Sequence, residues 1–456
     1  MVKAARQIPL SREARANAGR MLRKKVARTS HRAWQPFRQE RDPIAILRET
    51  DQGRLPDQLP IRYGRMLKSP FAFLRGSAAV MAFDLARAPQ TGIAVQACGD
   101  CHLMNFGGFA TPERNLVFDL NDFDETLPAS WEWDIKRLSA SIMVAGRSSG
   151  LAARACTEAV VNAARTYREK LTAYSLLPAL EVWHATIDAR RVVELGSKRH
   201  RRQTQKLAIK RAHIHGAGNM LPKLTELVDG KRRIKDDPPL VYHASGGVDY
   251  EARAGDAIAK YRASLPDERR PLFDRYHLAD IARKVIGVGS VGTRCAIALF
   301  FADGGDALFL QFKEARASVL EPYAGASRYR SHAQRIVVGQ RLMQSASDIF
   351  LGWSSTGRPA FDFYVRQLRN VKTSVNLDDL AAADFVAYAR YCAWALARAH
   401  AKTGDAAMIS GYLGRSDAFD LAMMAFASAY ADQTERDHLV LVKAVRSGQL
   451  IAEQEV

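Results

Sequence analysis

The sequence predicts an α+β fold made of a small antiparallel β lobe and a large, mainly helical lobe. Three observations carry that prediction. From Lys284 to Glu314, short β-prone runs alternate with glycine-containing turns, the pattern of an antiparallel meander. From Ile93 to Glu125, two short apolar runs each end in a polar loop. From Trp133 to about Leu180, and again from Leu377 to Gly448, Ala-rich stretches place apolar residues at helical spacing.

Composition bounds the answer. The chain has 456 residues, 67 Lys+Arg against 48 Asp+Glu, and a formal net charge of +19. With 47% hydrophobic and 25% charged residues it can build a large core, which excludes a disordered chain, a collagen and a disulfide miniprotein. The positive field attracts nucleic acid, a membrane surface or a phosphorylated small molecule alike. Met1 to Lys25 is basic and never reaches an apolar core, and the stretch Cys295 to Ala302 is far short of the roughly 18–20 residues of a membrane helix. Five scattered cysteines argue against a disulfide framework. The expectation is a soluble cytoplasmic protein without a membrane span.

Along the chain, residues 1–60 read as a basic, partly helical and partly mobile arm. Residues 61–180 hold a helix over Phe71–Ala88, short strands at Ile93–Ala97 and Asn115–Leu120, and the helical stretch from Trp133. Residues 181–280 form a connector carrying a basic cluster at 197–213. Residues 281–370 form the β lobe, with strands at Val285–Gly289, Cys295–Phe301 and Leu308–Lys313, a helix over Arg328–Ala346, and β-prone runs around Ile349–Trp353 and Phe361–Leu368. Residues 371–456 are helical, and no internal repeat is visible.

Two groups of residues carry chemistry. Asp100 and Asn105 lie five apart in a loop entered from an apolar strand, and Asp122 and Asp124 follow at the end of the next strand. Phosphoryl transfer needs this set: a carboxylate to accept the proton of the attacking hydroxyl, and an Asn oxygen with further carboxylates to hold Mg²⁺. His102 belongs with Asp100 in the catalytic set and, with Gly107 and Gly108, shapes the loop. The bland alternative is that Asp and Asn simply make turns; it is preferred for Asp119 and Asn121. A rival is Cys98-Gly-Asp-Cys101-His102, which matches the c-type haem attachment pattern. Haem attachment needs export, and zinc needs a second ligand pair that the sequence does not offer, so both cysteines are expected to pack as small core residues.

The second group is Gly287, Gly289, Ser290, Gly292 and Thr293 between two β-prone runs, with Lys313 ending an apolar strand one hairpin downstream. Glycines let backbone N–H groups approach phosphate oxygens, and a lysine beneath such a loop reaches the α and β phosphates. A hairpin turn and an edge-strand lysine are the plain alternatives. In kinases a glutamate on the next helix pairs that lysine. Here the helix has none, and Glu321, Gln340 and Gln344 stay open as its partner.

Six segments together resemble the bacterial family catalogued as domain of unknown function 2252: Ser69–Gly76, Cys98–Gly107, Phe118–Glu125, Glu132–Leu138, Val288–Arg294 and Ala395–Ala401. The similarity runs from about Arg62 to Gln433. More distantly, Gly99-Asp-Cys-His-Leu-Met-Asn105 is similar to the catalytic loop of aminoglycoside phosphotransferase and choline kinase relatives. Asp122-Phe-Asp124 resembles their metal-binding segment, and Trp133-Asp134 the Tyr-Asp whose carboxylate supports the loop; the usual His before Gly99 is Cys98. This resemblance implies ATP and Mg²⁺ as cofactors, Asp100 as catalytic base, and Asn105 and Asp122 on the metal. The catalytic loop precedes the glycine loop, opposite to the usual order. The resemblance therefore implies a circularly permuted, protein-kinase-like two-lobed fold with 281–370 covering the nucleotide and Leu368–Lys372 near the hinge.

The leading expectation is an ATP- and Mg²⁺-dependent phosphotransferase acting on an unidentified, small-molecule hydroxyl acceptor. Nucleotidyl (AMP) transfer in the same cleft and a non-catalytic nucleotide-sensing or nucleic-acid-binding protein are the alternatives. The latter is supported by the net charge and opposed by the lack of a nucleic-acid-binding motif. The sequence does not specify the oligomeric state.

Overall fold

A computed structural model describes residues 10–34, 41–193, 195, 221–243, 247–285, 287–356, 360–368 and 375–453. It is a mixed α+β protein. The larger apolar core is built by the helices Trp131–Ser148, Ala153–Ser175, Ala382–Thr403, Ala406–Leu413 and Ala418–Arg446. Their small residues permit close approach: a Cβ on Gly146 would lie 2.7 Å from Cys156 Sγ. The predicted helix from Trp133 to Leu180 is thus two helices, interrupted after Ser148, where Gly150 takes φ +71°.

Two short antiparallel ladders lie against this core. Strands β1 (Ala94–Ala97) and β4 (Leu127–Ser130) pair, as do β2 (Phe106–Ala110) and β3 (Leu116–Leu120). Ala97 sits opposite Leu127 and Phe106 opposite Leu120. The loops 98–105 and 121–126 therefore leave the same two ladders side by side, and Asn121 N–H donates to Asn105 O at 2.9 Å. Strand pairing, not sequence proximity, brings the first group of residues together.

The β-rich part is a six-stranded antiparallel sheet of order β11-β12-β10-β9-β8-β7, comprising Gly352–Ser355, Asp362–Gln367, Ala307–Ala315, Cys295–Phe301, His277–Lys284 and Val241–Tyr242. A separate hairpin joins β5 (Thr225–Val228) to β6 (Lys231–Ile234). Along β10, Leu308, Leu310 and Phe312 face one apolar cluster with Tyr261 and Phe273, while Ala307 and Phe309 face another with Ile234 and Ile297. The alternation leaves Gln311 and Lys313 on the second face, toward the 98–126 loops.

Several expectations change here. Val285–Gly289 is not a strand; the strand before Cys295 is β8, which ends at Lys284. Gly287 and Gly292 take φ +66° and +85°, incompatible with extended pairing. Strand β8 escapes sequence reading because it is polar, largely exposed and bulged between Leu278 and Asp280. Phe71–Ala88 is two helices, Pro70–Gly76 and Ala78–Leu85, broken at Ser77. The helix expected over Arg328–Ala346 is His332–Met343, started by the Ser331 cap.

The N-terminal segment is not a mobile arm over its described part. Helix Arg12–Leu22 packs so closely on Ala406–Leu413 that a Cβ on Gly19 would meet Met408 O at 1.9 Å. Arg23 Nε donates to Tyr412 O at 2.7 Å and Arg28 Nη1 to Leu413 O at 2.7 Å. The basic cluster at 197–213 and most of the segment Leu368–Lys372 lie outside the described residues. Among the described residues, no helix is long and apolar enough to cross a membrane.

Asp119 is not a turn residue. It is fully buried in β3, accepts from Arg398 Nη2 at 2.7 and 2.9 Å, and accepts from Ser345 N and Oγ at 2.8 Å each. Arg398 belongs to the Ala395–Ala401 segment, so this pair bolts helix Ala382–Thr403 to the strand that feeds the 121–126 loop. Removing one partner strands a buried charge. Arg398→Met is expected to lower unfolding free energy by about 3–5 kcal/mol, read as a lower denaturant midpoint with an unchanged slope.

Candidate functional site

The loop 98–105 is held from beneath. Asp134, in the first turn of helix Trp131–Ser148, is buried and accepts from the backbone N–H groups of Cys98 at 2.7 Å and Gly99 at 3.0 Å. His400 Nε2 meets the same carboxylate at 3.1 Å, and His400 Nδ1 lies 2.7 Å from Tyr167 OH. Asp134 therefore holds the loop through two of its backbone N–H groups. Gly99 takes φ +82°, and a Cβ there would sit 2.5 Å from Glu125 O, so only glycine lets the two loops touch.

The loop presents Asp100, His102 and Asn105 to one cleft. Arg137 Nε donates to Asp100 Oδ1 at 2.6 Å and orients it. Burial raises the Asp100 pKa, Arg137 and Arg75 work against that rise, and Asp122 adds to it. His102 Nδ1 accepts from Met104 N–H at 3.2 Å, which leaves Nε2 as the protonated nitrogen, 3.7 Å from Asp100 Oδ2. Burial, reinforced by Arg75 and Arg137, pushes His102 well below its ordinary pKa, so the ring is neutral. Asn105 Nδ2 donates to Asp100 O at 2.5 Å.

The second loop meets the sheet. Lys313, at the end of β10, is 2% exposed; its ammonium contacts Asp124 Oδ2 and lies 3.7 Å from Asp122 Oδ1. Burial alone would lower its pKa, but the two carboxylates raise it well above the ordinary value, so it is a fixed cation. Tyr364 OH donates to Asp124 Oδ1 at 2.8 Å, and Ser290 Oγ donates to Asp124 Oδ2 at 3.1 Å. None of Glu321, Gln340 and Gln344 supplies the pairing. Glu321 faces Arg335 and His332, while Gln340 donates to Gln344, which donates to Leu120 O.

The glycine loop closes over these groups. Gly287, Gly289 and Ser290 line the same cleft as Asp100, Asn105, Asp122 and Asp124. Thr293 lines an adjoining pocket of about 250 Å³ that shares Asp124, Glu125 and Ser290. Thr293 N and Oγ1 both bond Ser290 O, closing the turn, whereas Gly292 is buried and held by Gln58 Oε1 at 3.2 Å. Lys313 itself does not open into the cleft; it backs the two carboxylates that do.

Sequence reasoning missed Arg54, Arg62, Arg75, Glu125 and Arg137 as members of this site, although Arg75, Glu125 and Arg137 stand in segments that carry the family resemblance. Arg54, Arg62 and Arg75 line the same cleft as the carboxylates. Cys98 and Cys101 are fully buried free thiols, and Cys98 Sγ donates to Asp122 O at 3.3 Å, a packing role that ties the two loops. No trio of His, Cys, Asp or Glu spaced for a metal ion exists among the described residues.

The molecule is thus a mixed α+β protein whose cleft joins two acidic loops, a glycine loop and a buried lysine. The family model for an uncharacterized protein conserved in bacteria (DUF2252) matches residues 54–444, and the chain belongs to that family. No curated protein and no solved structure matches the chain.

Glu125 gives the cleft a pH signature. Its Oε2 accepts from Val319 N–H at 2.7 Å, and burial, partly countered by that bond and by Arg335, raises its pKa from 4.5 to about 7. A carboxyl raised on folding stabilises the native state below its unfolded pKa and loses that contribution as pH climbs through the folded value. Stability is expected to fall between about pH 4.5 and 7, by at most about 3 kcal/mol. Glu125→Gln should flatten that slope in denaturation curves taken across the interval.

Proposed function

We propose that the protein is an ATP- and Mg²⁺-dependent phosphotransferase acting on a small-molecule hydroxyl, with a circularly permuted, kinase-like two-lobed arrangement. One observation carries the reading. Lys313 lies 3.7 Å from Asp122 and against Asp124, beneath a glycine loop that also bonds Asp124, with Asp100 and Asn105 in the same cleft. Residues from two stretches nearly two hundred positions apart meet at one cleft, which supports a reading in which acidic loops and a glycine loop act on one polyphosphate.

The roles follow from the surroundings. Asp100, oriented by Arg137 and with its pKa raised, is the group suited to take the proton of the acceptor hydroxyl. Neutral His102 directs its Nε2–H toward that carboxylate and keeps the loop in shape. The backbone of Gly287–Ser290 faces the cleft where phosphate oxygens would lie. Asp122, Asp124 and Asn105 supply hard oxygen donors, and with the Asn105 N–H committed to Asp100 O its carbonyl remains for a cation. Mg²⁺ bound there would neutralise charge on the β and γ phosphates. Lys313 and Tyr364 fix the orientation of the two carboxylates.

Permutation is supported by the packing of residues 48–63 against residues 441–453. Glu453 N–H donates to Pro60 O at 3.0 Å, Arg48 Nη2 to Gln449 O at 2.9 Å, and Tyr63 packs with Leu441 and Ala444. Stretches so distant in sequence and so close in space allow the order of segments to be exchanged without rebuilding the core.

Turnover is expected to transfer label from the γ- rather than the α-phosphate of ATP. Asp100→Ala should reduce kcat by about 10²- to 10⁴-fold. Asp122→Ala should abolish both turnover and the Mg²⁺-dependent part of nucleotide binding, and Lys313→Ala should weaken that part. Wild-type turnover in purified Asp122→Ala protein would sink the assignment. Because Asp100 must be ionised and its pKa is raised, activity should fall on acidification at a pH above the ordinary carboxylate range. His102 should add no limb near 6.5.

A further inference from the structure

Three arginines, Arg54, Arg62 and Arg75, line the cleft together with the carboxylates, and they are not equivalent. Arg62 is committed: it pairs with Asp51 and donates to Thr50 Oγ1 at 3.1 Å and Gly76 O at 3.2 Å. Arg54 donates to Thr50 O at 3.0 Å and Val291 O at 2.5 Å, clamping the glycine loop. Arg75 differs from both. Among the described residues its guanidinium makes no hydrogen bond and no ion pair, and its Nε is sealed from water without a partner.

Leaving a guanidinium unbonded in a partly buried position costs free energy unless something else satisfies it. The helix Pro70–Gly76 holds Arg75 where Asp100 and Asp122 act on it through space. Gly289 lies against the same helix end, where even a Cβ would reach within 3.5 Å of Arg75 O. The fork of donors is therefore presented to the cleft between the proposed base and the glycine loop. Guanidinium geometry matches two oxygens of a phosphate, and the surrounding carboxylates would repel such an anion without a cation at this point.

We propose that Arg75 is the anion clamp of the cleft and binds a phosphoryl-type oxyanion beside Asp100. The proposal rests on the phosphotransfer reading for the role of that anion. Two sources fit the chemistry: the terminal phosphoryl of the nucleotide, or an anionic group carried by the acceptor. Arg54 contributes charge to the same cleft while holding the loop.

The test is calorimetric titration of the full-length protein with inorganic phosphate, Mg-ADP and Mg-ATP, for wild type, Arg75→Ala and Arg75→Lys. Wild type should bind phosphate, and Arg75→Ala should bind it on the order of 10- to 100-fold more weakly, with partial recovery in Arg75→Lys. If the anion is the γ-phosphoryl, Arg75→Ala weakens ATP and spares ADP. If it belongs to the acceptor, both nucleotides bind as in wild type and only phosphate, titrated with Mg-ADP present, is lost. Unchanged phosphate and ATP affinity in an Arg75→Ala protein that melts like wild type overturns the proposal, as does a wild type that binds neither ligand. Phosphate binding that depends on Arg75 without any nucleotide binding keeps the clamp and overturns the phosphotransfer reading instead. Should Arg75→Ala fail to fold, Arg75→Gln, a shorter side chain that keeps one amide donor group and removes the charge, is read the same way.

Discussion

The lysine buried between Asp122 and Asp124 is the interaction on which the rest of the structure depends. It joins the six-stranded sheet to loops that grow from the helical core, and it does so with nearly no water around the ammonium. Such an arrangement is stable only while all partners are present, because removing one leaves an uncompensated charge in a low-dielectric setting. Tyr364 from β12 and Ser290 from the glycine loop add hydrogen bonds to Asp124, so three separate pieces of chain converge on one carboxylate. Asp119–Arg398 and Asp134–His400 repeat the device, one buried carboxylate from strand β3 and one from the first turn of helix Trp131–Ser148 each holding helix Ala382–Thr403.

The positive charge of the chain divides into parts with different physical roles. Arg137 and Lys313 neutralise carboxylates inside the site. Arg23, Arg28 and Arg54 cap backbone carbonyls and dock the N-terminal segment on the body of the protein. Arg75 alone of the cleft arginines retains its donors for a ligand. A net charge of +19 is thus compatible with a cleft built for an anion and does not by itself specify a nucleic-acid partner.

Much of the site was legible because its local pieces carry strong signals. The strand–loop–strand pattern around Asp100 and Asp122 and the glycines at 287–292 depend on period-2 alternation and on backbone freedom, both visible residue by residue. Strand β8 was not legible, since it is polar and bulged and only Ala282 is buried. Nor was the docking of the N-terminal segment, whose charged residues read as a solvated face yet find carbonyl partners some 385–389 positions away.

The amino-acid sequence by itself determined which chemical groups stand at loop ends, where glycine permits close approach, and that the chain belongs with its family. Only the tertiary structure decided which cation meets which carboxylate: Lys313 with Asp122 and Asp124 rather than with Glu321, Asp119 with Arg398 rather than with its own turn, and Arg75 with none. The physical reason is that periodicity and turn chemistry act over a few residues, whereas ion pairing in a buried cleft depends on how distant strands and helices pack.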